Sequence, residues 1–215
     1  MKIRLTLYLL MLLPSVSFAQ ALDNSYAMYS TFLDSLRFHK GKKTVFVVRK
    51  TIDFGRLYYQ NDLPDMVASY RACLKSDPDK DCQYLDFAYR GMRPIITKDT
   101  LWLGLIERLS KKMKRSFPIK NKFSAELKVR IIGKLDYLTY FGKKKGRYSD
   151  WDKFYRDYTS NAVLVDLSEV VSDGQRAVFY FGERCGGLCG AGGLVLFYND
   201  NGTWKYLREI GMWIS

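Results

Sequence analysis

The chain has 215 residues, of which 47% are hydrophobic and 27% are charged. This balance is typical of a folded globular protein and excludes a disordered chain or a fibrous repeat. The formal net charge is +13, and the single histidine, His39, weighs against chemistry that needs paired imidazoles.

Residues 1–19 have the three-part pattern of a secretory signal peptide. Basic residues precede the apolar run 5–13, and Ser17 and Ala19 place small side chains at a cleavage site. The run is shorter than the about 20 apolar residues of a membrane-spanning helix, so we expect cleavage after Ala19 and not an uncleaved membrane anchor. The remaining chain, residues 20–215, is then expected to be a single extracytoplasmic domain, periplasmic or secreted, with no transmembrane segment.

Patterns typical of helices dominate the helical front of this domain, residues 20–118. Apolar side chains recur at helical spacing from Asp23 to about Phe38, from Asp62 onward, and from about Thr100 to Arg115. A β-branched run within residues 42–52 predicts one strand between the first two helices.

The rest of the chain, residues 122–215, is predicted to be rich in β-sheet. Residues 123–131 alternate apolar and polar side chains, which indicates a half-buried strand, and Ser149 is expected to cap a short helix. Four further runs have strand patterns: 162–171, 175–183, 193–198 and 204–213. Because short turns join them, they must pair antiparallel. The predicted fold is α+β, with the helical N-terminal part packed on an antiparallel meander formed by the C-terminal third.

The four cysteines are Cys73, Cys82, Cys185 and Cys189. In an oxidising compartment an even number favours disulfides, although four cysteines allow three pairings. We favour the two local pairs, Cys73 with Cys82 and Cys185 with Cys189, because turn-forming residues separate each pair. The CxxxC spacing disfavours a zinc site, which usually needs CxxC, and we expect no metal and no cofactor.

The C-terminal third also carries a set of aromatic, glycine and cysteine motifs. They are residues 151–158, 166–170, 177–182 and 204–205, the loop Cys185-Gly-Gly-Leu-Cys-Gly190 and the terminal Trp213-Ile-Ser215. With these motifs the chain resembles a family of small exported bacterial proteins that share a Cys-Gly-x-Leu-Cys-Gly loop between hairpin strands and end in Trp-x-Ser. The resemblance covers residues 150–215, supports the meander, and implies no activity, cofactor or catalytic residue.

The glycine-rich cysteine loop is the candidate binding loop. Its glycines permit the backbone conformations that such a tight closure needs. The candidate residues are Gly186, Gly187, Leu188 and Gly190. The alternative is a redox-active disulfide, which needs a thiol of lowered pKa. Because Glu183 offsets the adjacent Arg184, we favour a structural disulfide.

Basic residues form a candidate anion-binding surface in the middle of the chain. They are Lys111, Lys112, Lys114, Arg115, Lys143, Lys144, Lys145 and Arg147. An anionic envelope surface is the expected partner, and a merely solvated basic face is the alternative. No recognition motif accompanies the charge, which weighs against nucleic acid.

Candidate catalytic groups do not form a recognisable set. Carboxylates suited to a hydrolase are Asp150 with Asp152, Asp166 with Glu169, and Glu183. Nothing sets one pair above the others, so no catalytic residue is assigned. The sequence therefore favours a non-catalytic exported protein that binds an anionic envelope surface or another envelope protein. The alternative is an extracytoplasmic enzyme, either a carboxylate hydrolase or a thiol oxidoreductase.

Overall fold

The structure is a computed structural model that describes residues 24–36, 44–50, 62–76, 82–85, 89, 91–142 and 150–215. The predicted signal peptide, His39 and the basic segment 143–147 lie outside the described residues. In the described part of the chain, no helix is both long and apolar enough to cross a membrane.

The helices of the described residues agree with the three predicted in the front of the chain and the short one predicted near Ser149, and they add two more. The helices are α1 (24–36), α2 (Asp62–Cys73), α3 (Arg93–Ile96), α4 (Leu101–Lys112), α5 (Lys134–Phe141) and α6 (Trp151–Asp157). The short α3 and α5 were not predicted, because each has few residues with which to show a helical period.

The strands are β1 (Thr44–Val48), β2 (Lys128–Ile132), β3 (Ala162–Leu167), β4 (Val171–Ser172), β5 (Arg176–Gly186), β6 (Cys189–Asp200) and β7 (Thr203–Ile214). Within the described residues they form one sheet in the order β2-β1-β3-β5-β6-β7, and β4 pairs with β5. The run β3-β5-β6-β7 is antiparallel, which confirms the predicted meander and the α+β class.

The sheet is not confined to the C-terminal third. Strand β1, from the helical front, lies between β2 and β3 and is parallel to both. Long connections that contain helices separate β1 from each neighbour in sequence, and such crossovers permit parallel pairing. The sheet is therefore mixed, with its parallel end built from both halves of the chain.

Short turns at residues 172–175 and 199–202 join the strands as predicted, but the cysteine loop is shorter than expected. Gly174 lies in the first turn with φ 92°, and Asn201 and Gly202 form the second with φ 51° and 88°. Between β5 and β6, only Gly187 and Leu188 lie outside the strands. Glycine has a low intrinsic preference for strands. Here the backbone groups of the glycines nevertheless complete the hydrogen-bond ladder between β5 and β6.

The predicted strand over residues 123–131 was wrong in its first half, because β2 begins only at Lys128. Side chains of α1 take the amide groups that a strand partner would otherwise bind. The hydroxyl of Ser30 accepts from the Ser124 N–H at 2.9 Å, and the Asp34 carboxylate accepts from the Glu126 N–H at 2.8 Å. This segment is therefore attached to side chains of α1 and not to a strand.

The N-cap of α6 is not the predicted Ser149, which lies outside the described residues. Asp150 is the N-cap, and its side chain accepts from the backbone N–H of Lys153 at 3.0 Å. An ionised aspartate both satisfies a free amide and interacts favourably with the helix dipole. This role accounts for one of the candidate carboxylates.

Helices cover both faces of the sheet. On one face, α1 packs with Phe32 against Phe179 and Phe181. On the other face, α2 and α4 pack over β5, β6 and β7, whereas α5 and α6 pack over β1 and β3. The sheet positions between these two helix groups carry few apolar side chains, and they form part of the surface described next.

Candidate binding surface at the disulfide hairpin

Both predicted disulfides are present, so the local pairing is confirmed. The Cα atoms of Cys185 and Cys189 are 5.0 Å apart, and those of Cys73 and Cys82 are 5.2 Å apart. Cys73, the last residue of α2, and Cys82 are buried in the core cluster that α2 and α4 form with the sheet, whereas Cys189 is exposed at the hairpin turn. The first bridge therefore stabilises the core and the second closes a surface loop.

The hairpin turn is held by covalent and hydrogen bonds. Gly186 has φ 153°, which favours glycine at the point where the ladder register shifts. The hydroxyl of Tyr155, on α6, donates a hydrogen bond to the carbonyl oxygen of Cys185. Burial raises the pKa of Tyr155, so this hydroxyl stays a donor.

An apolar tip, which we define as Leu188 and Ile214, lies at this end of the sheet. Leu188 is 91% exposed and Ile214 is 85% exposed, the two highest values among the large apolar side chains described. Ile214 pairs with Ala191, two residues beyond Cys189, so Ile214 lies at the same end of the sheet as the turn that carries Leu188. Contact between these apolar side chains and water is unfavourable, so burying them would release free energy.

On the face covered by the two helix groups, one cross-strand row joins Asp166, Gly182, Gly192 and Trp213. A side chain at either glycine would meet the indole of Trp213, since a Cβ at Gly192 would lie 2.5 Å from its Cε2 atom. A Cβ at Gly190 would lie 3.1 Å from its Cζ3 atom. The indole therefore lies over a glycine floor, formed by Gly182 on β5 and by Gly190 and Gly192 on β6.

A charged pair flanks this floor. The Arg184 guanidinium forms an ion pair with Asp166 and donates to the Tyr137 hydroxyl, on α5, at 3.1 Å. Burial disfavours the charged form of Arg184, but Asp166 and Tyr137 outweigh it and raise the pKa of the guanidinium. The Arg184 side chain remains 36% exposed and that of Asp166 19% exposed, so solvent reaches both groups.

The predicted basic surface is partly neutralised. Lys111 pairs with Glu107 at 2.9 Å, and Lys112 pairs with Glu169 at 3.0 Å. Hydrogen bonds and charge from Lys111 and Arg71 hold the pKa of Glu107 below its ordinary value. Lys114 and Arg115 are exposed after the end of α4. The other predicted group, residues 143–147, lies outside the described residues, so anion binding stays a prediction.

The candidate carboxylates are dispersed among separate roles. Asp150 caps α6, Asp166 pairs with Arg184, and Glu169 pairs with Lys112. Glu183 is buried, and strand alternation places it on the opposite face from Asp166. In the part of the chain that the structure describes, no group of three or more His, Cys, Asp or Glu is placed to hold a metal ion.

Sequence reasoning missed Trp213, Arg184 and Tyr137 as a group. The spacing of two glycines could have indicated part of it. Gly182 and Gly192 are equally distant from the centre of the glycine-rich turn, so they face each other in a tight hairpin. No protein-family model matches the chain, and no curated protein and no solved structure matches it. Its function is therefore inferred from its own residues.

Proposed function

We propose that this protein is a non-catalytic binding protein that acts outside the cytoplasm and contacts another envelope protein through the apolar tip. The observation that carries the proposal is the exposure of Leu188 and Ile214, 91% and 85%, at one end of the sheet. Burying such side chains against a partner releases apolar surface from water, about 25 cal/mol per Å². Large apolar side chains that are this fully exposed can be buried by a partner.

The stiffness of the hairpin supports recognition. The Cys185–Cys189 bond closes the turn, and the Tyr155 hydroxyl fixes the Cys185 carbonyl oxygen. A turn that is already ordered loses little conformational entropy when a partner binds it. The candidate binding loop therefore presents Leu188 in a nearly constant position.

An extracytoplasmic location is part of the same proposal. Two disulfides join all four cysteines, and disulfides persist mainly in oxidising compartments. The pattern of residues 1–19 supports export. We also propose that the chain belongs with the small exported proteins that it resembles, since their shared cysteine motif here forms a hairpin turn.

Binding is favoured over catalysis because three of the candidate carboxylates already have structural partners. Asp150 caps a helix, and Asp166 and Glu169 are ion-paired. Arg184 could activate a neighbouring thiolate only by charge, and Asp166 compensates that charge. These contacts support neither a hydrolase nor a thiol oxidoreductase.

The test compares Leu188→Ser with Leu135→Ser in the oxidised protein. Leu135, on α5, is 81% exposed and provides a control of matched chemistry. Cosedimentation with an isolated envelope fraction measures binding, before and after protease treatment of the fraction. We expect Leu188→Ser to weaken binding about tenfold, as loss of a central apolar contact does, and Leu135→Ser to leave it unchanged.

Two results would overturn the proposal. If Leu188→Ser binds like the wild type, the apolar tip is not the recognition surface. If binding survives proteolysis of the fraction, the partner is not a protein. Binding that disappears at raised salt would instead identify the basic surface as the contact.

A further inference from the structure

We infer that a group of exposed basic side chains at the parallel end of the sheet is a second binding surface, which binds an acidic polysaccharide. We call it the sheet-end basic surface, and its members are Arg49, Lys50, Lys120, Lys128, Arg130 and Lys134. It includes neither the apolar tip nor the basic residues predicted from the sequence to bind anions. The inference therefore goes beyond the proposed function and does not depend on Leu188.

The pairing of β1 with β2 brings four of these cations together. Lys128 and Arg130 are two residues apart on β2, about 6.6 Å along the strand, so their side chains share one face of the sheet. The backbone N–H of Arg49 donates to the carbonyl oxygen of the last β2 residue at 3.0 Å. A Cβ at Gly133 would lie 3.9 Å from Cζ of Arg49, so this guanidinium lies beside the residue that precedes Lys134.

A separate segment adds the remaining pair of cations. Lys50 forms an isolated antiparallel bridge with Pro118, and the N–H of Ile119 donates to the carbonyl oxygen of Arg49. Lys120 therefore lies two positions after the residue that faces Lys50. Because three distant segments of the chain meet at this surface, it does not show as a basic run in the sequence.

The cations of this surface differ from the paired ones elsewhere in the molecule. Arg71, Arg176 and Arg184 each pair with a carboxylate. The ion pairs between described residues include none of the six cations of the sheet-end basic surface. Asp136 lies nearby, since its Oδ2 would be 3.6 Å from a Cβ at Gly133. Even with this carboxylate the surface keeps a net positive charge, which attracts a polyanion.

Arg130 is already oriented for an anion. Its Cζ lies 5.9 Å from the ring centroid of Phe46 and 5.8 Å from that of Tyr158. Cation–π contacts of this kind hold the guanidinium in place. Among the described residues, none accepts a hydrogen bond from it. Its N–H donors are therefore available to a carboxylate, which a guanidinium binds with two parallel hydrogen bonds.

The arrangement favours a linear anionic polymer. Strand β2 is the outermost strand at this end of the sheet, so the cations follow its edge and then the ends of the strands. A polysaccharide with a carboxylate on each unit can meet them one after another. A single-stranded nucleic acid would also need exposed aromatic rings on which bases stack. Phe46 is buried and Tyr158 half-buried, and both rings already contact Arg130.

An anionic bilayer also attracts clustered cations, but a helix that binds a bilayer inserts its apolar face. Here α5 packs its apolar face, formed by Tyr137, Tyr140 and Phe141, into the core cluster with α6 and the sheet. Leu135, which is 81% exposed, remains as a side chain that a bilayer would bury and a polysaccharide would not need. Leu135→Ser therefore separates the two kinds of partner.

The test measures binding of fluorescein-labelled polygalacturonate to the oxidised protein by fluorescence anisotropy, with labelled dextran as the neutral probe. We expect polygalacturonate to bind, with an affinity that falls as salt is raised, and dextran not to bind. Lys50→Gln/Lys134→Gln is expected to weaken binding about tenfold or more at low salt. Lys75→Gln/Lys98→Gln is the control, because it removes the same charge from exposed positions after α2 and α3. We expect it to change binding about twofold or less, since distant charges are screened.

Two further variants check the contacts. Arg130→Lys keeps the charge but removes the paired N–H donors, so we expect binding to weaken about fivefold. Leu135→Ser and Leu188→Ser are expected to bind normally, and equal urea midpoints check that each variant is folded. The inference is overturned if polygalacturonate does not bind or if the two double-lysine variants behave alike. It is also overturned if the wild type prefers phosphatidylglycerol vesicles or single-stranded DNA at equal charge concentration.

Discussion

The indole N–H of Trp213 donates a hydrogen bond of 2.6 Å to the hydroxyl of Tyr180. Trp213 belongs to β7 and Tyr180 to β5, and β6 lies between these two strands. The side chain can cross β6 only because Gly192 places no atoms in its path. This contact ties the end of the outermost strand to the centre of the sheet.

The first prediction concerns this glycine. A Cβ added at Gly192 would lie 2.5 Å from Trp213 Cε2, so Gly192→Ala must displace the indole and break its bond to Tyr180. We expect a loss of about 2–4 kcal/mol in the free energy of unfolding, from overpacking and the lost hydrogen bond. Urea unfolding followed by circular dichroism measures it. Gly211→Ala is the control, because nothing lies within 4 Å of a Cβ at that position. Equal stability of the two variants would contradict the packing described.

The second prediction ranks the two disulfides. The residues bridged are 9 positions apart in Cys73–Cys82 and 4 apart in Cys185–Cys189. The shorter loop gives about 2 kcal/mol in the chain-entropy model, and the longer one somewhat more. Replacing Cys73 and Cys82 by serine also buries hydroxyls in the core, so we expect a total loss of about 3–5 kcal/mol there.

Urea midpoints of the two double-serine variants, measured without reductant, test this order. A larger loss for the Cys185→Ser/Cys189→Ser protein would contradict it. That outcome would mean that the hairpin turn stabilises more of the fold than its contacts indicate.

The third prediction is a pH dependence at the turn before β5. Burial raises the pKa of the Asp173 carboxyl, but hydrogen bonds from the backbone N–H groups of Arg176 and Gln175 and the Arg176 guanidinium hold it below its ordinary 3.8. A folded-state pKa below the unfolded value means that ionised Asp173 stabilises the fold above about pH 4 and loses this effect as the pH falls further.

Asp173→Asn therefore is expected to lower stability at pH 7 and to flatten the decline below pH 4. Thermal unfolding at several pH values measures both effects. Asp200→Asn, an exposed residue at the other hairpin turn, is the control and is expected to follow the wild-type profile. An unchanged acid profile in Asp173→Asn would show that other carboxylates cause the acid sensitivity.

The fourth prediction compares two pairs of exposed basic residues, one with acidic partners and one beyond the end of α4. Lys111 and Lys112 are ion-paired with Glu107 and Glu169, whereas Lys114 and Arg115 extend beyond α4. A basic side chain near an anionic membrane contributes about 1 kcal/mol, so Lys114→Ala/Arg115→Ala is expected to weaken binding to phosphatidylglycerol vesicles about tenfold or more at low salt.

Vesicle cosedimentation at two salt concentrations measures this binding. Lys111→Ala/Lys112→Ala is expected to have a smaller effect, because each of its charges already has an acidic partner. Equal losses in the two double variants would contradict the distinction, and binding that is unaffected by salt would exclude an electrostatic contact.

Features that depend on neighbouring residues were predictable. The apolar stripe of α4, the turn at Asn201 and Gly202, and the pairing of Cys185 with Cys189 each arise within a few positions of the chain. Their energetics are local, because helical period, turn conformation and short loop closure involve only adjacent residues. The meander followed from these turns, since a two-residue connection permits only antiparallel pairing.

Features that depend on distant residues were decided by the tertiary structure. The position of β1 between β2 and β3, and the capture of the Glu126 amide by Asp34, join segments about which local periodicity carries no information. The row from Asp166 to Trp213 depends on the registers of three strand pairs at once. The amino-acid sequence by itself thus determined the elements and their local links. Long-range packing, in which many weak preferences compete for the same core, determined which side chains meet.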